Sequence, residues 1–513
     1  MKNDTIIIID YGSQYTQLIA RRIREENVHS IIIPYDFKEN YISEYNIYGI
    51  ILSGGPSSVY EKNAPQLNKL IFSYQIPILG ICYGLQLLIE EHNGSVKNIG
   101  TGEYGQAKVV IKNNDSTLFN ELPQNFKVWM SHGDKIDKIP DDWSITSLSE
   151  NDVISSIENL EKQMYGVQFH PEVIHTDEGQ TIIKNFVFNI CNAKANWSSE
   201  NFINNSIDLI RETVSDNKVM CALSGGVDST VVSTLIKRAI GNNAICVFID
   251  HGLLRKNEAK EVVDMFNESL DLDVNLFNRS KEFLDKLKNI DNPEKKRKII
   301  GNQFIEEFEK ITKKFGEIKF LAQGTLYPDI IESGGYGGVA ETIKSHHNVG
   351  GLPEDLSFTL IEPVKELFKD EVRKVGRDLE IPANFLNRHP FPGPGLAIRI
   401  IGKITDERLQ ILRDADDIFI KILKESGEYD NIWQAFCVLL PIKTVGVMGD
   451  KRTYENVICL RMVTSVDGMT ADWYDLPKEI LKLCSNRIVN EVRGVNRVVL
   501  DVTSKPPGTI EWE

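Results

Sequence analysis

The 513-residue chain is short of cysteine, of positive charge and of long apolar runs. Its seven cysteines stand far apart, at positions 82, 191, 221, 246, 437, 459 and 484, and no two form a CxxC pair. An odd, dispersed set suits neither a disulfide framework nor a zinc site, so a reducing cytoplasm is the expected setting. No apolar run reaches the roughly 18 residues that a membrane span needs. The opening Met1-Lys2-Asn3-Asp4 passes straight into Ile6–Ile9, which leaves no space for an export signal. Lysine and arginine number 58 against 73 acidic residues, a formal net charge of −15. Surfaces that grip nucleic acid carry the opposite balance, and no nucleic-acid partner is expected. No internal repeat and no low-complexity tract occurs. What is present, 42% hydrophobic and 26% charged residues, is the balance of a soluble globular enzyme. The length suggests about three domains.

Apolar runs at Ile6–Ile9, Ile31–Ile33, Gly49–Leu52 and Pro77–Ile81 alternate with helical patterns at Gln14–Glu26 and Leu85–Glu91. That alternation predicts an open α/β sheet, with Ala107–Ile111 and Met164–Phe169 as added strands. Periodicity fails over Asn192–Asn205, which reads as a linker. A second α/β unit follows, with strands Lys218–Leu223, Ala244–Ile249 and Ile318–Ala322 and a helix Thr230–Ala239. The lysine-rich stretch 281–298 reads as a solvated helix followed by a mobile loop. Glycines at Gly334–Gly338 and Val349–Leu352 predict a long functional loop. The prolines of His389–Gly395 close the second unit. An α+β pattern follows, with a helix at Glu407–Lys424 and strands at Val457–Met462 and Arg497–Asp501.

Gly80-Ile81-Cys82-Tyr83-Gly84 lies between an apolar strand and a helix, the arrangement of a nucleophile elbow with cysteine in place of serine. The side chain would then stand at the carboxyl edge of the sheet, over a helix N-terminus that favours thiolate. The alternative for Cys82 is a small buried hydrophobe. His170, within Gly166-Val167-Gln168-Phe169-His170-Pro171-Glu172, offers a base at a strand end, with Glu172 to orient it. Ser53-Gly54-Gly55-Pro56 adds a loop whose N–H groups, that of Gly55 with that of Tyr83, are candidate oxyanion donors.

A second constellation links the strand ending at Leu223 to the next helix: Ser224, Gly225, Gly226, Val227, Asp228, Ser229 and Thr230. Glycines let the backbone approach an anion, and the N–H groups at the helix start point at it. The lysine of a GxxxxGK[ST] loop is missing, which excludes the usual β,γ-cleaving phosphate site. Asp228 is a candidate ligand for Mg²⁺, the ion that pairs with pyrophosphate through oxygen. Val247–Gly252, at the end of the next strand, is either an adenosine contact or a plain strand-ending turn.

SGGP, GICYGLQLL and GVQFHPE, in this order and spacing, resemble the class I glutamine amidotransferases. The Ser224–Thr230 loop is similar to that of ATP pyrophosphatases, which split ATP between the α and β phosphates. Gln323–Ser333, Lys344–Leu352, His389–Gly395 and Lys505–Glu513 resemble the GMP synthetase family along nearly the whole chain. The resemblance implies an N-terminal open mixed-sheet amidotransferase domain over 5–195. It implies a central parallel-sheet, Rossmann-like ATP pyrophosphatase domain over 198–388, and a C-terminal α+β dimerisation domain over 389–513. It implies that Cys82, His170 and Glu172 release ammonia from glutamine. ATP and Mg²⁺ would then activate XMP, with products GMP, AMP, pyrophosphate and glutamate. Asp329, Glu332, Lys344, Lys369 and Asp370 would belong to an adenylation lid. Arg297, Gln434, Arg497, Lys505, Thr509, Ile510 and Glu511 would hold XMP, and the protein would be a homodimer. The alternatives are another glutamine-dependent ATP pyrophosphatase acting on a different acceptor, such as an NAD synthetase, or a non-catalytic glutamine or nucleotide sensor.

Overall fold

The computed structural model describes residues 3–38, 45–332, 358–448, 450–465 and 470–513. It divides into two compact units, one built mainly from Met1–Phe202 and one from Ile203–Tyr327 with Ser345–Glu513.

The first unit is organised by a nine-stranded sheet. Its strands are β1 (Asp4–Asp10), β2 (His29–Pro34), β3 (Asn46–Leu52), β4 (Ile78–Ile81), β5 (Ser95–Ile111), β6 (Asn125–Lys138), β7 (Ser144–Ser149), β8 (Ile154–Asn159) and β9 (Met164–Val167). The order is β2-β1-β3-β4-β9-β8-β7-β5-β6. The β2-to-β9 half is parallel, and from β9 onward the pairing is antiparallel. The isoleucine run of β1 is buried on both faces, as central parallel strands require. Helices α1 (Thr16–Glu25), α2 (Tyr83–Glu91) and α3 (Gly179–Lys184) complete the unit, and α4 (Ser199–Val214) follows. The stretch expected as a linker, Asn192–Asn205, is therefore helical from Ser199 onward. Ile203 and Ile210 on α4 are buried, an apolar period that the surrounding asparagines and serines mask.

The second unit holds a five-stranded parallel sheet, β12-β11-β10-β13-β14. Its strands are β10 (Val219–Leu223), β11 (Ala244–Asp250), β12 (Val274–Asn278), β13 (Phe320–Ala322) and β14 (Thr359–Ile361). Its helices include α5 (Val227–Ile240), α6 (Glu258–Leu270), α7 (Ser280–Leu287), α8 (Pro293–Thr312), α10 (Lys369–Asp378) and α11 (Ala383–Leu386), while α9 (Tyr327–Glu332) is grouped from Pro328 onward with the first unit. The chain runs outward from β10 on one side and returns to add β13 on the other. This places a topological switch at the carboxyl end of β10, where open α/β sheets bind ligands. The expectation of a solvated helix and mobile loop over 281–298 is corrected: α7 ends at Leu287 and α8 begins at Pro293. Asn292 caps α8 by accepting from Lys295 N at 3.0 Å, with proline at the first helical position.

A smaller sheet joins β15 (Gln434–Met448), β16 (Lys451–Thr464), β17 (Asp472–Trp473) and β18 (Val495–Asp501), with helices α12 (Asp406–Glu425) and α13 (Lys478–Glu491) against it. One apolar core runs through this unit, from Met220 and Val247 to Leu412, Phe419, Leu460 and Ile488. The position expected as a boundary, 388/389, thus falls inside a unit with a shared core. The glycine-rich expectations at Gly334–Gly338 and Val349–Leu352 lie outside the described residues.

Two described histidines of this unit are buried. Burial, with Arg413 nearby, pushes His251 down to about 4. Burial, with Arg255 adding to it, pushes His389 to about 4, and its ring stacks on Tyr429 at 3.7 Å. Both are neutral when folded at pH values where an unfolded histidine, near 6.5, takes up a proton. Their contribution to stability is present above 6.5 and is lost as pH falls towards 4. The thermal transition is expected to drop across that window, and to drop less in a His389→Gln variant. Equal acid sensitivity of variant and parent in scanning calorimetry would contradict this account.

Candidate active sites

β4 ends at Ile81 and α2 starts at Tyr83, so Cys82 alone makes the turn, at φ 50° and ψ −103°. Such a conformation is strained for any residue with a side chain. It is held by bonds on both sides: Cys82 N donates to Val167 O at 2.8 Å, and Gly84 N to Ser53 O at 3.0 Å. A side chain at Gly84 would collide with Leu52 O, which is why the helix can start so close to β3. Cys82 is 5% exposed. Gln168 Nε2 donates to its sulfur at 3.6 Å, and Ser131 O lies 3.8 Å from it.

His170 stands three residues beyond β9. Its N–H donates to Trp129 O at 3.0 Å, and its carbonyl accepts from Thr176 Oγ1 at 2.6 Å. Its Nδ1 meets Glu172 Oε1 at 2.7 Å, and Glu172 is fully buried. Burial opposes charge on this imidazole more than any other single influence. The Glu172 carboxylate and the Cys82 sulfur, each through charge and hydrogen bonding, together outweigh it and hold the ring well above the ordinary histidine value. A side chain on Gly54 would begin 3.0 Å from His170 Cε1, and one on Gly55 3.2 Å from Tyr83 Cδ1. The SGGP loop thus lies against both His170 and Tyr83, the residue after Cys82. The N–H of Tyr83, first in its helix, is a donor with no intrahelical partner.

In the second unit the Ser224–Thr230 segment leaves β10 and becomes the first turn of α5. Gly225 has φ +76°, open to glycine at no steric cost. The hydroxyls of Ser224 and Ser229 face each other at 3.1 Å, and Thr230 Oγ1 donates to Gly226 O at 2.8 Å. Asp228 is held by Lys369 Nζ, 2.7 and 2.6 Å from its two oxygens. Lys369 opens α10, with Asp370 beside it in the first turn. Asp329 lies in the first turn of α9 and Glu332 ends that helix, while Lys344 lies outside the described residues.

Glu511 accepts from Arg399 Nε and Nη2 at 3.1 and 2.7 Å and from Gln434 Nε2 at 2.8 Å. Ile510 is buried against Phe436, Val438 and Cys459. Thr509 Oγ1 donates to Glu511 O, and the Lys505 backbone pairs with Ala471 in both directions. Arg297 Nη2 donates to Glu513 O. The hydrogen bond of Arg497 goes to Thr444 Oγ1, at 3.3 Å, rather than to this tail.

Residues 7–190 match the class-I glutamine amidotransferase family, residues 199–299 the NAD synthase family, and residues 421–512 the GMP synthase C-terminal domain. The chain is 53% identical over 513 residues to a glutamine-hydrolysing GMP synthase of Caldanaerobacter subterraneus subsp. tengcongensis, covering all of both chains. It is 52% identical over 510 residues to that of Brachyspira hyodysenteriae, covering 99% of each. It is 54% identical over 508 residues to that of Carboxydothermus hydrogenoformans, again 99% of each. The chain belongs to the glutamine-hydrolysing GMP synthase family. It is an enzyme, a ligase that uses glutamine. The NAD synthase match spans residues 199–299 only, whereas the likeness to GMP synthases runs the full length.

For this GMP synthase family member, reading the sequence missed two polar side chains. Gln168 is 1% exposed, and Gln86 Nε2 turns it towards the sulfur by donating to its Oε1 at 3.4 Å. It lies inside the GVQFHPE motif, two residues before the base, and that alternation along an extended segment was the available signal. Arg388 is bound to Glu258 at 2.6 Å, and its Nη1 lies 3.0 Å from where a side chain on Gly225 would begin. It immediately precedes His389–Gly395, yet nothing local relates it to a loop so distant in sequence. Replacing Gln168 by Leu removes a donor to the sulfur. Glutaminase kcat/KM is expected to fall roughly ten- to a hundredfold, the range for a hydrogen bond to a charged group, with synthesis from ammonium salts unchanged. Unaltered glutaminase kinetics would exclude Gln168 from the site.

Proposed function

We propose that Cys82 attacks the side-chain amide of glutamine while His170, oriented by Glu172, passes the thiol proton to the departing ammonia. The N–H groups of Gly55 and Tyr83 receive the developing oxyanion, and water then releases glutamate. In the second unit, Ser224 to Thr230 cradle the phosphates of ATP. The XMP oxygen attacks the α phosphorus, pyrophosphate leaves, and ammonia displaces AMP to give GMP. Carrying both reactions in one chain delivers ammonia locally, before bulk water can protonate it. Asp329, Glu332, Lys344, Lys369 and Asp370 serve the adenylation step. Arg297, Gln434, Arg497, Lys505, Thr509, Ile510 and Glu511 hold XMP. The observation that carries the reading is one chain with a cysteine elbow backed by a buried His–Glu pair, and also a phosphate loop without lysine.

Among the described residues no group of three or more His, Cys, Asp or Glu side chains is placed to hold a metal. A lone carboxylate beside hydroxyls suits Mg²⁺, which keeps waters and takes its other ligands from phosphate. Asp228 is the residue that would hold it, and the ion would neutralise charge on the departing pyrophosphate. The division into 5–195, 198–388 and 389–513 follows the chemistry. The first segment releases ammonia, the second adenylates, and the third binds XMP and dimerises. A homodimer is supported by an apolar face on the β15–β16 hairpin. Val445 and Val447 share that face with Tyr454, the cross-strand partner of Val445, and Val447 and Tyr454 are 77% and 64% exposed. A cytoplasmic setting accords with seven free cysteines, none in a disulfide.

Incubation with amide-¹⁵N glutamine, ATP, Mg²⁺ and XMP is expected to give labelled GMP with matching AMP and pyrophosphate by mass spectrometry. Glutamate without GMP would point to a different acceptor. Cys82→Ala should abolish glutamine-driven synthesis and spare synthesis from ammonium salts; loss of both would contradict separable sites. Asp228→Asn should stop AMP formation from either nitrogen source. AMP formed at the parental rate would remove Asp228 from the reaction.

A further inference from the structure

Lys296, on the second turn of α8, is wholly buried. That is rare for lysine, because an ammonium group taken out of water must have its protons met by other acceptors. Here all three are met. Nζ donates to Ala397 O at 3.0 Å, to Ile400 O at 2.8 Å and to Glu513 Oε2 at 2.5 Å. Burial draws the Lys296 pKa below its ordinary value, and the Glu513 carboxylate pulls against that.

The acceptors come from two other segments. Ala397 and Ile400 bracket Arg399, which is also fully buried. Its guanidinium lies over the rings of Phe391 and Phe436, at 5.1 and 4.1 Å, and grips Glu511 with two bonds. Glu513 belongs to the tail that follows β18. Beyond Asp501 that tail has no helix or paired strand of its own, apart from a bridge at Lys505. Besides that bridge and the burial of Ile510, buried side-chain charges hold it. Arg461, fully buried, donates to Thr503 O at 2.5 Å and Thr509 O at 3.2 Å. Arg399 takes Glu511, and Lys296 takes Glu513, whose second oxygen accepts from Gly402 N at 3.3 Å. Alternate tail carboxylates, two residues apart, are thus tied to one turn, 397–402, from two directions.

We propose that Lys296 is a positioning residue for XMP: by fastening the 397–400 turn to Glu513 it fixes the register of the tail against Arg399, and with it the place of Glu511 in the nucleotide pocket. The inference rests on the reading that Glu511 and its neighbours hold XMP. Lys296 does not touch the nucleotide. A tetrahedral ammonium meets two carbonyls and a carboxylate at once. A methionine of similar length leaves the Glu513 carboxylate, whose side chain is 9% exposed, without its counter-charge.

The test uses the full chain with ammonium salts as nitrogen source, which takes the glutaminase out of the measurement. Lys296→Met and Glu513→Gln are each expected to raise KM for XMP about tenfold or more while KM for ATP stays within about twofold. The double variant should be no worse than the worse single, because both remove one interaction. Glu511→Gln, measured beside them, should also raise KM for XMP. A folded Lys296→Met with KM for XMP within about twofold of the parent, beside a Glu511→Gln that raises it, overturns the positioning role and leaves the tail reading standing. A Glu511→Gln without effect on XMP overturns the tail reading and the inference with it. Should Lys296→Met not fold, Glu513→Gln, which keeps both side-chain shapes, decides by the same criterion.

Discussion

The N–H groups in the first turn of a helix have no carbonyl to bond within that helix, and both candidate centres of this chain sit at such a helix start. In the first unit β4 turns into α2 through a single residue, Cys82, so the sulfur stands over the open end of the helix. In the second unit β10 turns into α5 through the Ser224–Gly226 loop, whose glycines leave the same kind of end open. A parallel sheet makes such turns at one edge only. The position of that edge decides where each reaction can happen, and the surrounding side chains refine what happens there.

Much of this was legible in the sequence, because the signals were short and local. Ile6–Ile9, Gly49–Leu52 and Ala244–Ile249 are apolar runs with no room for a helix, and each is a central strand. The elbow and the pyrophosphate loop are also contiguous, and each lies where a strand gives way to a helix. What was not legible depends on partners far along the chain. The lysine-rich stretch 281–298 has the charge pattern of a wet surface, yet Lys296 is fully buried because its carboxylate partner lies 217 residues away. Gln168 acquires its orientation from Gln86, and Arg388 its place from Glu258. Neither relation leaves a periodic trace. α4 was hidden for a different reason: asparagines and serines on its exposed side diluted an apolar face carried by few residues.

The C-terminal tail illustrates how a segment without regular structure can still be fixed. Three wholly buried cations, Lys296, Arg399 and Arg461, each bind it at a different point. A buried ion pair contributes little net stability against an apolar substitute, but breaking one side of it is costly. The arrangement therefore favours one path for the chain over others more than it favours the folded state over the unfolded one.

The clasp between Lys369 and Asp228 has a thermodynamic consequence of its own. The carboxylate beside the pyrophosphate loop already has a cation on both of its oxygens. Under the proposal that Asp228 holds Mg²⁺, a divalent ion arriving there would perform an exchange, releasing an ammonium group as it binds. Its apparent affinity is the difference between two pairings, so a change that weakens the lysine's hold tightens the metal's without touching a single metal ligand. Under the same proposal the freed ammonium would be a positive charge delivered beside the loop at the moment the polyphosphate occupies it.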